Sequence, residues 1–234
     1  MKFFRNFAFL FATISLFSLF GCTNIEKHPT DYDKLAGLIG KTKEVVIAEL
    51  ALQEDLQEVM PGTYILPEKA AFNDILFDVH LYFDVGANYE LFKISYTASF
   101  INEPNEAAGK ILSVAKTLSE VQGDTYIREE TVISEIDKQI LIDTFSKNSS
   151  FEENNFWDLT ASSGDNIKQY IETLGHSKNW NAAYGRLKLE PHYYLDCTVG
   201  FNPNENTAFI VLEYSVGAYR GDGNYTETDH GIIS

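Results

Sequence analysis

The sequence has few basic residues and few cysteines. It carries 18 Lys and Arg residues against 34 Asp and Glu residues, which gives a formal net charge of −16 over 234 residues. A surface of this charge repels a phosphate backbone, so we expect no nucleic-acid partner. Two cysteines are too few for a small fold held together by disulfides, and that class is excluded.

The sequence also lacks the short motifs that mark common catalytic and metal sites. It contains no Gly-rich phosphate loop and no HExxH, CxxC or GxSxG motif, and its five histidines are scattered along the chain. We therefore expect no metal and no cofactor. The absence of such motifs favours a protein that binds rather than one that catalyses, although it does not settle whether the chain is an enzyme.

The composition is that of a folded chain. Hydrophobic residues make up 44% of the sequence and aromatic residues 14%, which is enough to form a packed core. The length is typical of one domain or of two small ones.

The first 22 residues have the order of an export signal. Lys2 and Arg5 precede an apolar run over 7–20, which is short for a membrane-spanning helix of about 20 residues and typical of a signal peptide. The run ends in Leu19-Phe20-Gly21-Cys22. This segment resembles the lipobox of bacterial lipoproteins, in which the cysteine is acylated and becomes the mature N-terminus. Phe20 departs from the pattern, which usually has a small residue there.

The resemblance implies an address in the bacterial cell envelope. It implies a signal peptide over 1–21, fatty acyl (palmitate) modification of Cys22, a tether over 22–32 and attachment to a membrane. Thr23 follows the cysteine where an aspartate would favour inner-membrane retention. The expected location is the outer membrane of a two-membrane bacterium, or else the outer face of the cell membrane. The alternative is an ordinary signal peptide or hydrophobic anchor that happens to contain a cysteine.

The remaining sequence predicts an α+β fold of antiparallel β-hairpins with helices packed on a face. Strict alternation of apolar residues predicts strands over 75–83 and 91–100, and again over 193–201 and 208–216. A polar loop is expected over 146–155, before a short strand over 156–160. Helical spacing of apolar residues predicts helices over 32–39, 43–58, 104–122, 130–145 and 165–174.

The two hairpins align with each other at a constant offset of 118 residues. Asp78 then matches Asp196, and Tyr96 matches Tyr214. One interpretation is a globular domain over 33–216 built from two related helix–hairpin units, about 33–125 and 156–216, with a flexible tail over 217–234. The other is that any two alternating hairpins would align this well.

The strand faces opposite the predicted core carry the candidate site. Asp78, His80 and Tyr82 share one such face, and Tyr194 lies on the corresponding face of the second hairpin. Amphipathic aromatic residues on a sheet face suit recognition of an envelope protein or glycan. Alternatively, helices cover this face and the tyrosines form a second core layer.

Two functions follow as hypotheses. The first is a lipid-anchored, non-catalytic binding module of the envelope. The second is an envelope hydrolase that uses acid–base chemistry of a carboxylate and a histidine, with Asp78 and His80 as its pair. Neighbouring carboxylates such as Glu152, Glu153 and Asp158 arise by chance in so acidic a chain. Cys197 alternates with apolar residues, so we expect a buried, inert thiol.

Replacing Cys22 tests the predicted anchor. The Cys22→Ala variant should incorporate no labelled palmitate, because it lacks the thiol that would carry the acyl chain. The matched control is Cys197→Ala, which should keep the label. Labelling that persists in Cys22→Ala would contradict the lipobox assignment.

Overall fold

The computed structural model describes residues 30–52, 56–85, 89–101, 103–123, 126–127 and 132–219. The predicted signal peptide, Cys22 and the tail beyond residue 219 lie outside this part of the chain. Within the described ranges, no helix has both the length and the apolar character needed to cross a membrane.

The strands form one sheet in the order β1-β4-β5-β6-β10-β9-β8-β7, with β3 also pairing with β5, and β2 with β3. Neighbouring strands are antiparallel except for β1 and β4. Their bounds are β1 Thr30–Asp31, β2 Gln57–Met60, β3 Thr63–Ile65, β4 Ala70–Phe72, β5 Ile75–Phe83, β6 Leu91–Ile101, β7 Tyr126–Ile127, β8 Phe151–Asp158, β9 Glu190–Asn202 and β10 Thr207–Tyr219.

The helices precede, separate and connect the strands, so the predicted α+β class is confirmed. Their bounds are α1 Tyr32–Ala36, α2 Lys43–Glu49, α3 Pro104–Gln122, α4 Lys138–Ser146, α5 Asp165–Gly175 and α6 Lys178–Tyr184, with short 3₁₀ turns at Ile133–Glu135 and Gly185–Leu187. Pro104 begins α3 and Gly123 follows its last residue, as the sequence predicts.

The core fills one side of the sheet. Alternate residues of β5, β6, β9 and β10 join buried residues of helices α1 to α5 in a single hydrophobic cluster. Tyr96 and Tyr214 meet edge to face on adjacent central strands, with ring centroids 6.2 Å apart. Burial of each large apolar side chain contributes about 1.5–3 kcal/mol, so this one-sided cluster is the main source of stability.

Four predicted elements have different bounds in the structure. The helix predicted over 130–145 is a 3₁₀ turn at Ile133–Glu135 followed by α4, which begins only at Lys138 because Ile136 and Asp137 have extended backbones. The helix predicted over 32–39 ends at Ala36. Helix α2 ends at Glu49 rather than near residue 58, because Ala51 has a φ of 50° and residues 57–60 form strand β2. Strand β8 begins at Phe151 rather than at residue 156, so most of the predicted polar loop is part of the sheet. Strand β8 depends on its pairing with the distant strand β9, whereas β2 forms a local hairpin with β3.

The domain also extends further than predicted at both ends. Thr30 and Asp31, assigned to the tether, pair with β4, and α1 begins at Tyr32. Strand β10 continues to Tyr219, so residues 217–219 belong to the sheet rather than to the tail.

The register of the two hairpins bears on the proposed duplication. Ser95 lies opposite His80 in the first hairpin, whereas Glu213, which matches Ser95 at the 118-residue offset, lies opposite Asp196. By strand pairing, His80 therefore corresponds to Asp196. The sequence alignment instead matches His80 with Thr198, two residues further along the strand. The shift is even and preserves which side chains face the core. Duplication stays a prediction.

Gly62 has a backbone conformation and surroundings that exclude a side chain. Its φ is 75°, and an added Cβ would lie 2.6 Å from the backbone oxygen of Phe83. We expect Gly62→Ala to lower the free energy of unfolding by about 2–4 kcal/mol, since it combines backbone strain with a backbone clash. The measurement is urea denaturation of the purified protein.

Gly37→Ala is the matched control. The nearest atom to an added Cβ at Gly37 is 3.7 Å away, so this variant should differ from wild type by about 0.5 kcal/mol or less. Equal destabilisation by the two variants would contradict the steric explanation.

Candidate binding face

The side of the sheet opposite the core carries all four residues of the predicted binding surface. We call it the reverse face and define it by the outward residues of five adjacent strands. These are Asp78, His80 and Tyr82 on β5; Lys93, Ser95, Thr97 and Ser99 on β6; Phe209, Val211, Glu213 and Ser215 on β10; His192, Tyr194, Asp196 and Thr198 on β9; and Asn154, Phe156 and Asp158 on β8.

Strand pairing arranges these side chains in rows that cross the sheet. One row runs Tyr82, Lys93, Ser215, Tyr194, Asp158. Tyr82 and Tyr194 thus lie in the same row, three strand spacings or about 14 Å apart. The next row runs His80, Ser95, Glu213, Asp196 and is displaced by two residues on each strand. The structure therefore places the four predicted residues on one side of the sheet, but Tyr194 is buried there and the prediction that it lies on the surface is wrong.

Tyr82 and Lys93 form a charged, partly buried group with Glu213. The Lys93 Nζ atom lies 4.4 Å from the centroid of the Tyr82 ring and 3.1 Å from Oε1 of Glu213. Burial raises the pKa of Tyr82, and the Lys93 ammonium opposes this while the Glu213 carboxylate adds to it. Tyr82 therefore keeps its proton at neutral pH and presents a hydroxyl that can donate a hydrogen bond.

Asp78 has Lys69 as its ion-pair partner. Oδ1 of Asp78 lies 2.8 Å from Nζ of Lys69, and more than half of each side chain is exposed. An exposed pair of this kind contributes little to stability. His80 is half-buried and lies on the same face as Asp78, as predicted, opposite Ser95 of β6.

The carboxylate–imidazole contact on this face joins Asp158 to His192. Oδ2 of Asp158 lies 2.9 Å from Nδ1 of His192, and the backbone N–H of Thr160 donates to Oδ1 of Asp158 at 2.9 Å. Burial acts to raise the pKa of Asp158, but the hydrogen bonds from Thr160 and His192 outweigh it and hold this pKa below its usual value.

This contact was not predicted from the sequence. Asp158 and His192 are separated by 34 residues and meet through the pairing of β8 with β9. The available signal was the parity of His192 with Tyr194, which places both on the same strand face.

The centre of the face brings two carboxylates side by side. Glu213 and Asp196 are direct cross-strand neighbours, an arrangement that is unfavourable for like charges. Each has its own compensation, since Glu213 pairs with Lys93 while Asp196 accepts hydrogen bonds from the Asn154 amide and, at 3.3 Å, from the Thr198 hydroxyl. These contacts hold the side chains in fixed positions.

The reverse face also has an aromatic contact of its own. The rings of Phe156 and Tyr194 lie 5.0 Å apart, and both residues are only 4% exposed although neither belongs to the core cluster. Tyr194 is therefore more buried than a simple surface residue. The exposed edge of the face is formed instead by Asp78 and Ser99.

The structure gives Cys197 a place in the core. It is fully buried, and burial raises the pKa of its thiol, which keeps it protonated and unreactive. Among the described residues, no three His, Cys, Asp or Glu side chains are grouped so that they could hold a metal ion.

Comparisons with protein-family models, with curated proteins and with solved structures gave no match. The functional interpretation therefore depends on the geometry of the reverse face.

The depressed pKa of Asp158 predicts a specific dependence of stability on pH. Its ionised form is stabilised by folding, so its contribution is present above the ordinary carboxyl pKa of about 3.9 and is lost as pH falls through the lower folded value. We expect Asp158→Asn to cost about 1–2 kcal/mol at pH 7, and the difference from wild type to shrink below about pH 4.

The measurement is urea denaturation at a series of pH values. Glu152→Gln, an exposed carboxylate on the same strand, is the control and should change stability little at any pH. A difference between Asp158→Asn and wild type that stays constant from pH 7 to pH 3 would contradict the assigned role of the carboxylate.

Proposed function

We propose that this protein is a lipid-anchored component of the bacterial cell envelope that binds an envelope protein or glycan through the reverse face of its sheet, without catalysis. The observation that supports this most is the position of Asp78, His80 and Tyr82 together on the face opposite the core, where Asp78 is exposed. Tyr194 lies on the same side of the sheet but is only 4% exposed, so its ring packs on Phe156 instead of being available to a partner.

The composition of the face supports binding. It combines aromatic rings with carboxylate, amide, hydroxyl and imidazole groups, a mixture that suits partners offering both apolar surface and hydrogen-bonding groups. Contacts such as Lys93 with Tyr82 and Asn154 with Asp196 hold several of these groups before a partner arrives. Such preorganisation lowers the entropy lost on binding.

The place where the chain enters the fold supports an anchored arrangement. Strand β1 begins at Thr30 and joins the sheet beside β4, which pairs with the first residues of β5. Thr30 lies eight positions after Cys22, a reach of about 26–29 Å when extended. An anchor at Cys22 would hold this end of the sheet close to the membrane.

The hydrolase is the second candidate, and the contact between Asp158 and His192 favours it. A carboxylate that accepts from one imidazole nitrogen orients the other nitrogen for proton transfer. In the pair predicted from the sequence, Asp78 with His80, the carboxylate has Lys69 as its ion-pair partner instead. A hydrolase would release soluble fragments from purified cell-wall glycan, and His192→Ala would abolish that release whereas His80→Ala would not.

In-cell photo-crosslinking tests the binding proposal. A photoreactive amino acid placed at Ser99, an exposed position of the reverse face, should form a defined adduct with an envelope protein or glycan. The same amino acid at Lys116, exposed on α3, should not. Mass spectrometry of the purified adducts identifies what has been captured.

Substitutions on the face make this experiment decisive. Replacing Asp78 and His80 together with alanine should reduce the Ser99 adduct about ten-fold or more, as expected when two polar contacts of an interface are removed. Replacing Lys116 and Glu120 with alanine should leave it unchanged. Equal adducts from Ser99 and Lys116, or an adduct insensitive to the Asp78 and His80 substitutions, would contradict the proposal.

A further inference from the structure

A cationic stretch of sequence precedes strand β9. Residues 173–189 contain Lys178, Arg186 and Lys188 and no acidic residue, in a chain whose acidic residues outnumber its basic ones by 34 to 18. All three cationic side chains are exposed. We call residues 178–188, which comprise α6, the following 3₁₀ turn and Lys188, the basic segment.

The three cations of the basic segment form no ion pair with any described residue. Other lysines of the domain differ in this respect, since a carboxylate lies within 3.1 Å of the ammonium groups of Lys41, Lys69, Lys93 and Lys110. The charge of the basic segment is therefore not neutralised by a neighbouring carboxylate of the described chain, and it remains available to an anionic partner.

Trp180 holds the basic segment against the start of β9. Its indole N–H donates to the oxygen of Leu189 at 2.9 Å, and its ring centroid lies 4.5 Å from that of Tyr184. The Ser177 hydroxyl accepts from the N–H of Trp180 at 3.1 Å and caps α6. Within α6, all of which the structure describes, Trp180 alone is buried, and it lies outside the core cluster. The segment is therefore an ordered element of the surface that takes no part in the hydrophobic core.

We propose that the basic segment contacts anionic phospholipid headgroups of the membrane that holds the protein. Lysine and arginine are attracted to an anionic bilayer, whereas the acidic remainder of the chain is repelled by it. Leu187 lies between Arg186 and Lys188 and is 52% exposed, which offers an apolar side chain to the boundary between headgroups and acyl chains. Cations beside an exposed apolar residue are typical of segments that lie on a membrane surface.

The inference rests on the proposed lipid anchor, which would keep the domain beside the membrane. The tether from Cys22 lets Thr30 lie up to about 26–29 Å from the bilayer. The domain can therefore turn and bring the segment that precedes β9 to the surface. The three cations would then determine the orientation of a domain that an anionic membrane otherwise repels.

A fluorescent amino acid whose emission depends on polarity tests the proposal in the full-length protein, reconstituted with phospholipid vesicles. Placed at Leu187, it should emit at shorter wavelength with vesicles that contain about 30% phosphatidylglycerol, because the anionic bilayer draws this residue out of water. It should show no such shift with vesicles of phosphatidylcholine alone. The control position is Ile140, which is 59% exposed on α4, where two lysines and two aspartates within residues 137–147 cancel in charge.

Removal of the cations supplies the second requirement. Replacing Lys178, Arg186 and Lys188 together with glutamine should reduce the emission shift about five-fold or more, since each cation near an anionic surface strengthens binding about five-fold. The three side chains are exposed and unpaired among the described residues, so their replacement should preserve the fold. The matched control makes the same change of net charge at three exposed lysines elsewhere and should leave the shift unchanged: Lys116, Lys138 and Lys147.

The acidic residues that border the cationic stretch give a test of opposite sign. Glu172 precedes it on α5, and Glu190 follows it as the first residue of β9, and both are exposed. Glu190→Gln removes a negative charge beside the segment and should lower the phosphatidylglycerol content needed for half of the shift. Glu152→Gln on β8 should leave that content unchanged.

Four outcomes would overturn the proposal: no shift, an equal shift with neutral vesicles, a shift insensitive to the triple glutamine substitution, or a shift that appears only after residues 220–234 are deleted. The last would assign the segment to carboxylates of the tail such as Asp222. Flotation with neutral vesicles reports the anchor separately. Protein that floats with neutral vesicles but shows no shift with anionic ones would sustain the anchor and reject the basic segment, and the opposite pattern would do the reverse.

Discussion

The pairing of β6 with β10 is the constraint on which the structure depends. It joins two hairpins that lie far apart in the sequence, and its register runs from Ile101 opposite Thr207 to Lys93 opposite Ser215. An isolated hairpin is marginally stable, whereas two joined hairpins provide an apolar face broad enough for helices to cover. Tyr96 and Tyr214 meet at this junction, where both side chains are buried.

The same pairing determines what the reverse face contains. A slip of one residue would turn the apolar residues of one of these strands outwards and bring Lys93 of β6 or Glu213 of β10 into the core, at a large cost in desolvation. In the correct register these two residues pair with each other on the reverse face. The register that buries the apolar residues thus also determines which polar groups lie next to each other on the reverse face.

The sequence predicted best those elements whose side-chain pattern is local. Strand β5 has the predicted bounds because every second residue from Ile75 to Phe83 is buried, and α3 begins and ends where Pro104 and Gly123 indicate. Strand β8 begins with a polar segment, in which Asn154 bonds to Asp196 and Thr198 on β9. Because these residues are polar, a search for alternating apolar residues does not detect that the segment pairs with β9.

In the candidate site too, features that depend on local sequence were predicted and those that depend on tertiary contacts were not. Alternation alone predicted that Asp78, His80 and Tyr82 share a face, and the structure places them so. The contact of Asp158 with His192 and the approach of Lys69 to Asp78 could not be predicted, because each depends on which strands or loops become neighbours. A charged side chain selects its partner from whatever the tertiary structure brings within reach.

The central claim is that the reverse face is occupied by a partner in the cell. Hydroxyl-radical footprinting of intact cells, compared with the purified protein, tests this most directly. Leu76 and Ile101 lie on the reverse side of the sheet and are 52% and 63% exposed, while Ile140 on α4 is 59% exposed away from it. The account predicts that Leu76 and Ile101 are oxidised about three-fold or more slowly in cells, since a partner excludes water from the interface, with Ile140 unchanged. Equal oxidation of all three residues in cells and in the purified protein would contradict it.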